Sequence, residues 1–278
     1  MGVVGDAPVT PVRVAGPDDP RLAPYRDLRD PALRRAAGLF AVESRLLVRR
    51  LLEGGRFRVR SVLLTDAMLE DLAPLLADVS VLVADHATIR TVVGFNFHRG
   101  CMALAERGSG PTLDDVLAAS PRLLVVGEQL ADHDNVGAVL RNAWAFGADA
   151  VLLGPGSADP FSRKAIRVSA GAALALPVVG LADWPADLGR VRAAGLVVLA
   201  LVARADALPL DALVPVPPRL ALLAGNEGDG LSAAALAAAD RTVTIPMRPG
   251  VDSLNVAVAT GIALHRLASA LGSPPAGR

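Results

Sequence analysis

Short apolar runs alternate with amphipathic segments along most of this chain. The runs at Val59–Leu64 and Ala150–Leu153 are built from aliphatic residues, which is typical of buried strands. The segments between such runs carry apolar residues at helical spacing, and the last of them, 255–270, is long. This alternation predicts an α/β fold in which a mostly parallel sheet is covered by helices on both faces.

The pattern assigns an element to most of the chain. The predicted strands are 59–64, 79–83, 102–105, 123–126, 150–153, 174–178, 196–200, 220–223 and 243–245. The predicted helices are 24–52 with an interruption at 38–42, then 67–77, 86–93, 136–146, 162–169, 188–194, 233–239 and 255–270.

Turn residues without apolar periodicity at 107–111 (RGSGP) mark a domain boundary. The length of 278 residues also exceeds the roughly 100–200 residues of one domain. The expected organisation is therefore a flexible tail at 1–20, a small α/β domain at 21–108, a linker at 109–120 and a larger α/β domain at 121–278.

Composition narrows the class of protein. Hydrophobic residues make up 52% of the chain and aromatic ones only 3%, so the core has to be built from Ala, Leu and Val. No apolar run is long enough to span a membrane, and the N-terminus lacks the pattern of a signal peptide. The single cysteine, Cys101, cannot form an internal disulfide, which favours the cytoplasm.

The formal net charge is zero, which by itself does not favour a nucleic-acid partner. The charge is unevenly distributed, however, because residues 45–60 contain six arginines and one acidic residue. Such a local patch can hold phosphate groups even on a neutral protein, since salt limits repulsion to about 8–10 Å. Lys164 is the only lysine of the chain, and arginine suits bidentate phosphate contacts, but codon preference in a GC-rich genome would equally explain the use of arginine in place of lysine.

The first polar cluster follows the predicted strand at 123–126. Asn135 lies near the start of the next helix, where it could cap the helix, and Arg141 follows nearly two turns later as a possible surface charge. His133 stands between Asp132 and Asp134, but no third ligand occurs at metal spacing. We therefore predict no metal site, and a solvated histidine is the simpler interpretation.

Two further clusters follow later strands. Gly225, Gly228 and Gly230 allow a tight turn or a close approach to a ligand, and Glu227 between them could meet a substrate or face solvent. The segment 245–255 (IPMRPGVDSLN) forms an irregular loop before the last helix, which Ser253 or Asn255 could cap. Because ligands bind beyond the carboxyl ends of parallel strands, all three clusters are candidate site loops.

Taken together, the three clusters resemble the SpoU class of the SPOUT RNA methyltransferases. The matching segments are NVGAVLRN at 135–142, GNEGDGL at 225–231, and IPM at 245–247 followed by DSLNVAVA at 252–259. The resemblance covers about 122–271 strongly. Looser similarity at 38–48 and 94–105 indicates the small substrate-binding domain of such enzymes. Asn142 departs from the Thr or Ser found in many members.

The resemblance implies a fold and a reaction. The C-terminal SPOUT domain would contain a trefoil knot whose loops hold S-adenosylmethionine, and the preceding small α/β domain would bind RNA. The reaction implied is methylation of a ribose 2′-hydroxyl in the cytoplasm, with ribosomal RNA favoured over transfer RNA. The implied assembly is a homodimer in which one subunit completes the site of the other.

The resemblance also assigns residues to roles. The implied cofactor pocket is lined by Gly225, Asn226, Ile245, Met247 and Leu254. We expect glycine at 225 because a side chain would occupy the space of the adenosine. The implied catalytic set is Arg141, Asn135, Glu227, Ser253 and Asn255. Because arginine side chains stay protonated, we expect Arg141 to hold the phosphate beside the target ribose while the other four hold Arg141 and the loops.

Two other classes of function fit parts of this pattern. A nicotinamide-dependent oxidoreductase would need the glycine order GxGxxG and an acidic residue about 20 positions later, and the segment at 225–230 has neither. A catalytically silent RNA-binding module with the same fold is the alternative outside enzymes. Intact Arg141, Glu227, Ser253 and Asn255 favour an active enzyme over such a module.

Overall fold

The computed structural model describes residues 10–26, 37–95, 97, 100–226 and 228–272. The chain divides into two compact units, which are described separately. The first unit comprises Met1–Ser109 together with Phe161–Arg167, and the second comprises Gly110–Pro160 and Val168–Arg278.

Strands and helices alternate over the described residues. The strands are β1 (Val12–Arg13), β2 (Leu39–Glu43), β3 (Val59–Leu64), β4 (Ser80–Val83), β5 (Cys101–Glu106), β6 (Leu123–Gly127), β7 (Ala150–Leu153), β8 (Val178–Gly180), β9 (Val197–Leu201), β10 (Leu208–Pro209), β11 (Leu220–Ala224) and β12 (Arg241–Thr244). The α-helices are α1 (Arg45–Gly54), α2 (Asp66–Leu72), α3 (His86–Val93), α4 (Leu113–Ala118), α5 (His133–Ala145), α6 (Arg163–Val168), α7 (Ala172–Ala175), α8 (Ala186–Ala193), α9 (Ala233–Ala238) and α10 (Val256–Leu271). Short 3₁₀ helices lie at Pro20–Tyr25, Ala73–Leu75 and Leu210–Ala212.

The first unit contains a five-stranded mixed sheet in the order β1-β4-β3-β5-β2. β5 runs antiparallel to both β2 and β3, while β4 is parallel to β3 and β1 is parallel to β4. The predicted helix at 24–52 is broken near 38–42 as expected, and the structure has the strand β2 there, which the pattern did not predict. Residues 27–36 of the predicted helix lie outside the described residues. The residues of β2 are almost fully buried and pair along their whole length with β5, a long-range contact that a local pattern does not show.

A short segment from later in the sequence completes the first unit. Phe161 packs against Phe40 and Phe57, with ring centroids 5.2 and 5.4 Å away. Two residues further on, the Arg163 guanidinium donates to the Glu43 carboxylate at 2.7 Å and stacks over the Phe95 ring. The first unit is therefore built from two separate stretches of the chain.

The second unit contains a seven-stranded sheet in the order β10-β12-β9-β11-β6-β7-β8. Every neighbouring pair in it is parallel, which confirms the predicted parallel sheet. β6, β7 and β11 are buried along their whole length, so they are apolar at every position instead of alternating. Their side chains form the core together with residues of α4, α8 and α9.

One predicted strand of this unit is wrong, and one helix was missed. Residues 174–178 were predicted as a strand, but α7 ends at Ala175 and β8 begins only at Val178. The alanine-rich run favours a helix, and Pro177 disfavours helical backbone at the residue before it. Within the predicted linker 109–120 lies α4, whose capping box joins Thr112 and Asp115 reciprocally.

In the part of the chain that the structure describes, no helix is both long and apolar enough to cross a membrane.

The thiol of Cys101 is buried at the start of β5. Burial raises its pKa to about 12, and the nearby Asp71 carboxylate adds to the shift while Arg45 opposes it. At pH 8 such a thiol is ionised in roughly one molecule in 10⁴, whereas a free cysteine of pKa about 8.5 is substantially ionised. We expect iodoacetamide to leave the native chain unmodified at pH 8 and to alkylate it rapidly in denaturant, as followed by intact mass. Equal rates in the two conditions would contradict this placement.

Candidate cofactor site

The loops that follow three adjacent strands of the second unit enclose a pocket of about 510 Å³. Residues 201–204 reach it from β9, residues 224–226 and 228–231 from β11, and residues 245, 247 and 252–254 from β12. Because the strands are parallel, their carboxyl ends lie at one edge of the sheet and their loops converge there. The pocket has the size usual for a small-molecule cofactor site.

The loop after β11 is closed on itself. An antiparallel bridge joins Asn226 to Gly230, and the Asn226 side-chain oxygen accepts hydrogen bonds from the N–H groups of Gly228 and Asp229, both at 2.8 Å. A Cβ added at Gly225 would lie 2.3 Å from the Gly230 carbonyl carbon and oxygen. Glycine is therefore required at 225 by backbone packing within the loop. This reason is separate from the expected one, space for the adenosine, which stays a prediction.

The loop after β12 supplies several of the predicted pocket residues. Ile245, Met247 and Leu254 line the pocket together with Ser253. Asn255, the next residue, caps α10 by accepting hydrogen bonds from the N–H groups of Ala257 and Val258.

Two asparagines of α5 connect this helix to the loop after β12 and to the start of α10. The Asn255 amide donates to the Asn135 side-chain oxygen at 2.9 Å, so two of the predicted residues are in direct contact. Asn135 does not cap α5, since Asp132 is the N-cap residue and accepts from Asp134 N–H. Asn142 donates to the Ala257 carbonyl oxygen at 2.7 Å and thereby joins α5 to α10.

Among the described residues of the predicted catalytic set, only Ser253 lines this pocket. Arg141 is exposed on α5, is absent from the pocket lining, and makes no hydrogen bond or ion pair with any described residue. Asn135, Ser253 and Asn255 therefore do not hold it within this chain. Glu227 lies outside the described residues.

The loop after β9 was not singled out in the sequence, although it forms one side of the pocket. It contributes Leu201, Val202 and Arg204, of which Arg204 is paired with Asp206 at 2.5 Å. In the sequence, this loop is indicated only by its position directly after a buried strand.

His133, which the sequence analysis considered as a metal ligand, is the first residue of α5. No metal-binding group of three or more His, Cys, Asp or Glu occurs among the described residues.

The chemistry of the lining suits S-adenosylmethionine. Leu231, Leu236 and Val256 provide an apolar surface for an adenine ring. Asp229 and Asp252 bring carboxylates to the same pocket, where they can balance the positive charges of a sulfonium and an amino group. The sides of the pocket also include strand ends and irregular loops, which offer backbone N–H and carbonyl groups for hydrogen bonding.

Comparison with known proteins decides the family. A model of the SpoU rRNA Methylase family matches residues 122–265. The chain belongs to the SpoU rRNA methylase family. This confirms the family predicted from the three motifs, and the matched segment contains every loop of the pocket.

Similar proteins cover the first unit as well. The chain is 41% identical over 260 residues to an uncharacterized tRNA/rRNA methyltransferase of Mycobacterium bovis, which covers 91% of this chain and 90% of that protein. It is 33% identical over 193 residues to the 23S rRNA (guanosine-2′-O-)-methyltransferase RlmB of Ralstonia nicotianae, covering 68% of this chain and 76% of the relative. Among solved structures, the AdoMet-bound rRNA methyltransferase from Sinorhizobium meliloti is similar with a TM-score of 0.81 at 25% identity, covering 95% of this chain and 99% of that one.

Two glycines of the loop after β11 should differ in how much they matter for binding of S-adenosylmethionine. Gly225→Ala forces a Cβ into the backbone of Gly230, and overpacking of this kind costs about 1–3 kcal/mol. We expect the variant to bind S-adenosylmethionine at least about tenfold more weakly by calorimetry. Gly228→Ala should bind within about twofold of the parent, because its Cβ would meet only the Asn226 oxygen at 3.5 Å. Equal affinities of the two variants would contradict the backbone explanation.

Proposed function

We propose that this protein transfers the methyl group of S-adenosylmethionine to a ribose 2′-hydroxyl of RNA. The observation that carries the proposal is the pocket at the ends of β9, β11 and β12, which is lined by two of the three SpoU motifs. Relatives named as 23S rRNA 2′-O-methyltransferases and an AdoMet-bound structural neighbour support both the reaction and the cofactor.

Residues of the two pocket loops would hold the cofactor. Gly225, Asn226, Ile245, Met247 and Leu254 all lie in the lining. S-adenosylmethionine supplies a methyl group that is already activated on a positively charged sulfur. The protein therefore has to align the ribose oxygen with that methyl group and ease the loss of the hydroxyl proton. The trefoil knot implied by the family would involve the loops at 225–231 and 245–255.

Arg141 is the residue assigned to the RNA side of the reaction. Its guanidinium is exposed and makes no side-chain bond within the described chain, so it is available to a phosphate group. The planar group can hold a phosphate through two parallel hydrogen bonds and so orient the neighbouring ribose. Phosphate or water then accepts the hydroxyl proton, since arginine side chains stay protonated. Glu227 remains a proposed member of the catalytic set with Asn135, Ser253 and Asn255.

Substitution of Arg141 tests this assignment. Arg141→Lys keeps the charge but loses the two-pronged geometry, and we expect turnover to fall about a hundredfold. Binding of S-adenosylmethionine should stay within about twofold of the parent, because Arg141 does not line the pocket. Arg241→Lys, an exposed arginine of β12, is the matched control and should retain turnover. Near-normal turnover in Arg141→Lys would overturn the assignment, and cofactor binding without any methyl transfer by the parent would favour the silent RNA-binding module.

The homodimer is proposed from an exposed apolar surface of the second unit. Val258 and Ile262 on α10 are 51% and 44% exposed, and Trp144 on α5 is 39% exposed. Val258 and Ile262 flank a shallow depression that also contains Phe146 and His265, whose rings meet edge to face at 5.7 Å. A second copy of the chain is the proposed occupant, because Arg141 lies on α5 beside this surface and could then reach the partner's pocket.

Sedimentation velocity can test the proposed dimer through a substitution on its surface. Ile262→Asp places a charge in the proposed interface, and we expect it to convert the protein to a monomer at micromolar concentration. Val214→Asp is the control, since Val214 is an apolar residue 75% exposed in a loop outside this surface, and it should leave the sedimentation coefficient unchanged. A parent protein that sediments as a monomer would argue against the dimer.

Mixing two variants with complementary defects would show whether Arg141 acts across the interface. The assay uses a cofactor concentration well below the Kd of Gly225→Ala, so that the pocket of this variant stays nearly empty. A mixed dimer of Arg141→Ala and Gly225→Ala holds one intact pocket facing one intact arginine, if the arginine comes from the partner subunit. We expect mixing to restore up to about a quarter of parental activity, since half of the dimers are mixed and each has one of two sites. Activity no higher than that of the separate variants would place Arg141 and the pocket of one chain in the same site.

The RNA substrate is proposed to be ribosomal RNA, bound in part by the first unit. The arginines of the segment 45–60 differ in how far they are exposed to solvent. Arg45 and Arg49 are paired with Asp71. The Arg58 side chain lies 3.7 Å from a Glu106 carboxylate oxygen but is 81% exposed, and Arg60 is exposed on β3. We place the reaction in the cytoplasm, where the free thiol of Cys101 would stay reduced. Mapping 2′-O-methyl groups by reverse-transcription stops in RNA from a deletion strain identifies the target nucleotide.

A further inference from the structure

A buried carboxylate beside the pocket has no cationic partner among the described residues. Glu128 follows β6 directly and is only 3% exposed. It forms no ion pair with any residue in the described part of the chain, unlike the buried Asp187, which pairs with Arg190 at 2.8 Å. Burying a carboxylate without an ion pair is costly unless hydrogen bonds replace the water that it loses, so Glu128 needs donors from the protein.

Three neutral donors surround the Glu128 carboxylate. Its Oε1 accepts from the Trp184 indole N–H at 2.7 Å and from the Ser232 hydroxyl at 2.7 Å. Its Oε2 accepts from the Ser232 backbone N–H at 2.8 Å. All three distances lie in the ordinary range of hydrogen bonds, and both carboxylate oxygens are used.

The same residue also holds the other end of the pocket loop. The Glu128 backbone N–H donates to the Ala224 carbonyl oxygen at 2.9 Å. Ala224 is the last residue of β11 and Ser232 is the N-cap of α9, so the two contacts bracket the loop 225–231. That loop is already closed internally between Asn226 and Gly230. A preformed loop held at both ends by one residue has little freedom to shift relative to the sheet.

Trp184 extends this attachment to a neighbouring strand. Its ring packs on Gly154, just after β7, where an added Cβ would lie 3.2 Å from a ring carbon. The ring is therefore fixed by packing, and its N–H presents a rigid donor to Glu128.

From these contacts we infer that Glu128 is a positioning residue that sets the S-adenosylmethionine affinity by clasping both ends of the loop 225–231. The inference rests on the proposed function for the identity of the cofactor. Glu128 does not line the pocket, so it acts through the loop and not by contact with the cofactor. The three hydrogen bonds replace the water that the carboxylate loses on burial, and they fix the side chain against the end of the loop.

Glu128→Gln is the decisive variant. The amide keeps the shape of the side chain but replaces one acceptor oxygen by an NH₂ donor. In one orientation this NH₂ group faces the Ser232 backbone N–H, and in the other it faces the Trp184 N–H and the Ser232 hydroxyl, so donor is set against donor in either case. We expect the Kd for S-adenosylmethionine, measured by calorimetry, to rise about tenfold. The KM for the cofactor should rise in parallel, while kcat at saturating cofactor and the KM for RNA stay within about twofold.

Two further measurements separate positioning from a general loss of stability. Leu188→Ala removes a fully buried side chain of α8 and should lower the thermal midpoint without changing the cofactor Kd. The emission of Trp184, obtained as the difference between the parent and Trp184→Phe, should shift in Glu128→Gln because its N–H loses a charged acceptor. Ser232→Ala, at an exposed position, should raise the Kd about threefold and serves if Glu128→Gln does not fold.

The outcomes distinguish this inference from the proposed function. A parent protein that does not bind S-adenosylmethionine would overturn the proposed function. A parent that binds it, with Glu128→Gln and Ser232→Ala binding equally well, would overturn the role of Glu128 alone. A fall in kcat at unchanged cofactor KM would also overturn it, because loop positioning acts on cofactor binding.

Discussion

The parallel arrangement of β6, β9, β11 and β12 is the constraint on which the site depends. Parallel strands bring every following loop to the same edge of the sheet, however far apart those loops lie in the sequence. Residues separated by more than a hundred positions, such as Asn135 and Asn255, thereby come into hydrogen-bond contact. The central strands β6 and β11 are apolar on both faces, and this leaves polar chemistry to the loops at the strand ends.

The loops at those ends are held by backbone geometry more than by charge. Gly225 and Gly230 approach so closely that a single added carbon would not fit, and Asn226 closes the turn with its side chain. The ordered backbone groups of such loops are suited to a ligand that carries several hydrogen-bonding atoms. A preformed pocket also loses less conformational entropy when the ligand binds, which favours a higher affinity.

Sequence pattern predicted the elements whose own residues determine them. The bounds of β3, β7 and α3 agree with the predicted 59–64, 150–153 and 86–93, because each is a short, strongly patterned segment. β2 was missed since its strand conformation depends on pairing with β5, more than fifty residues away. Motif spacing likewise indicated which loops form the pocket. It could not show that Arg141 lies outside the pocket lining, that Gly225 meets Gly230, or that Glu128 is buried, because each of these depends on distances in space.

The discontinuous first unit has a consequence for how the protein is made. Its aromatic cluster needs Phe161, and Glu43 needs Arg163, so the unit lacks part of its core until the ribosome has synthesised residue 167. By then β6 and β7 of the second unit have also been synthesised. The two units therefore cannot fold strictly one after the other from the N-terminus. A fragment ending at residue 109 would expose the apolar surface that Phe161 covers, which makes cleavage at that boundary a poor way to isolate the first unit.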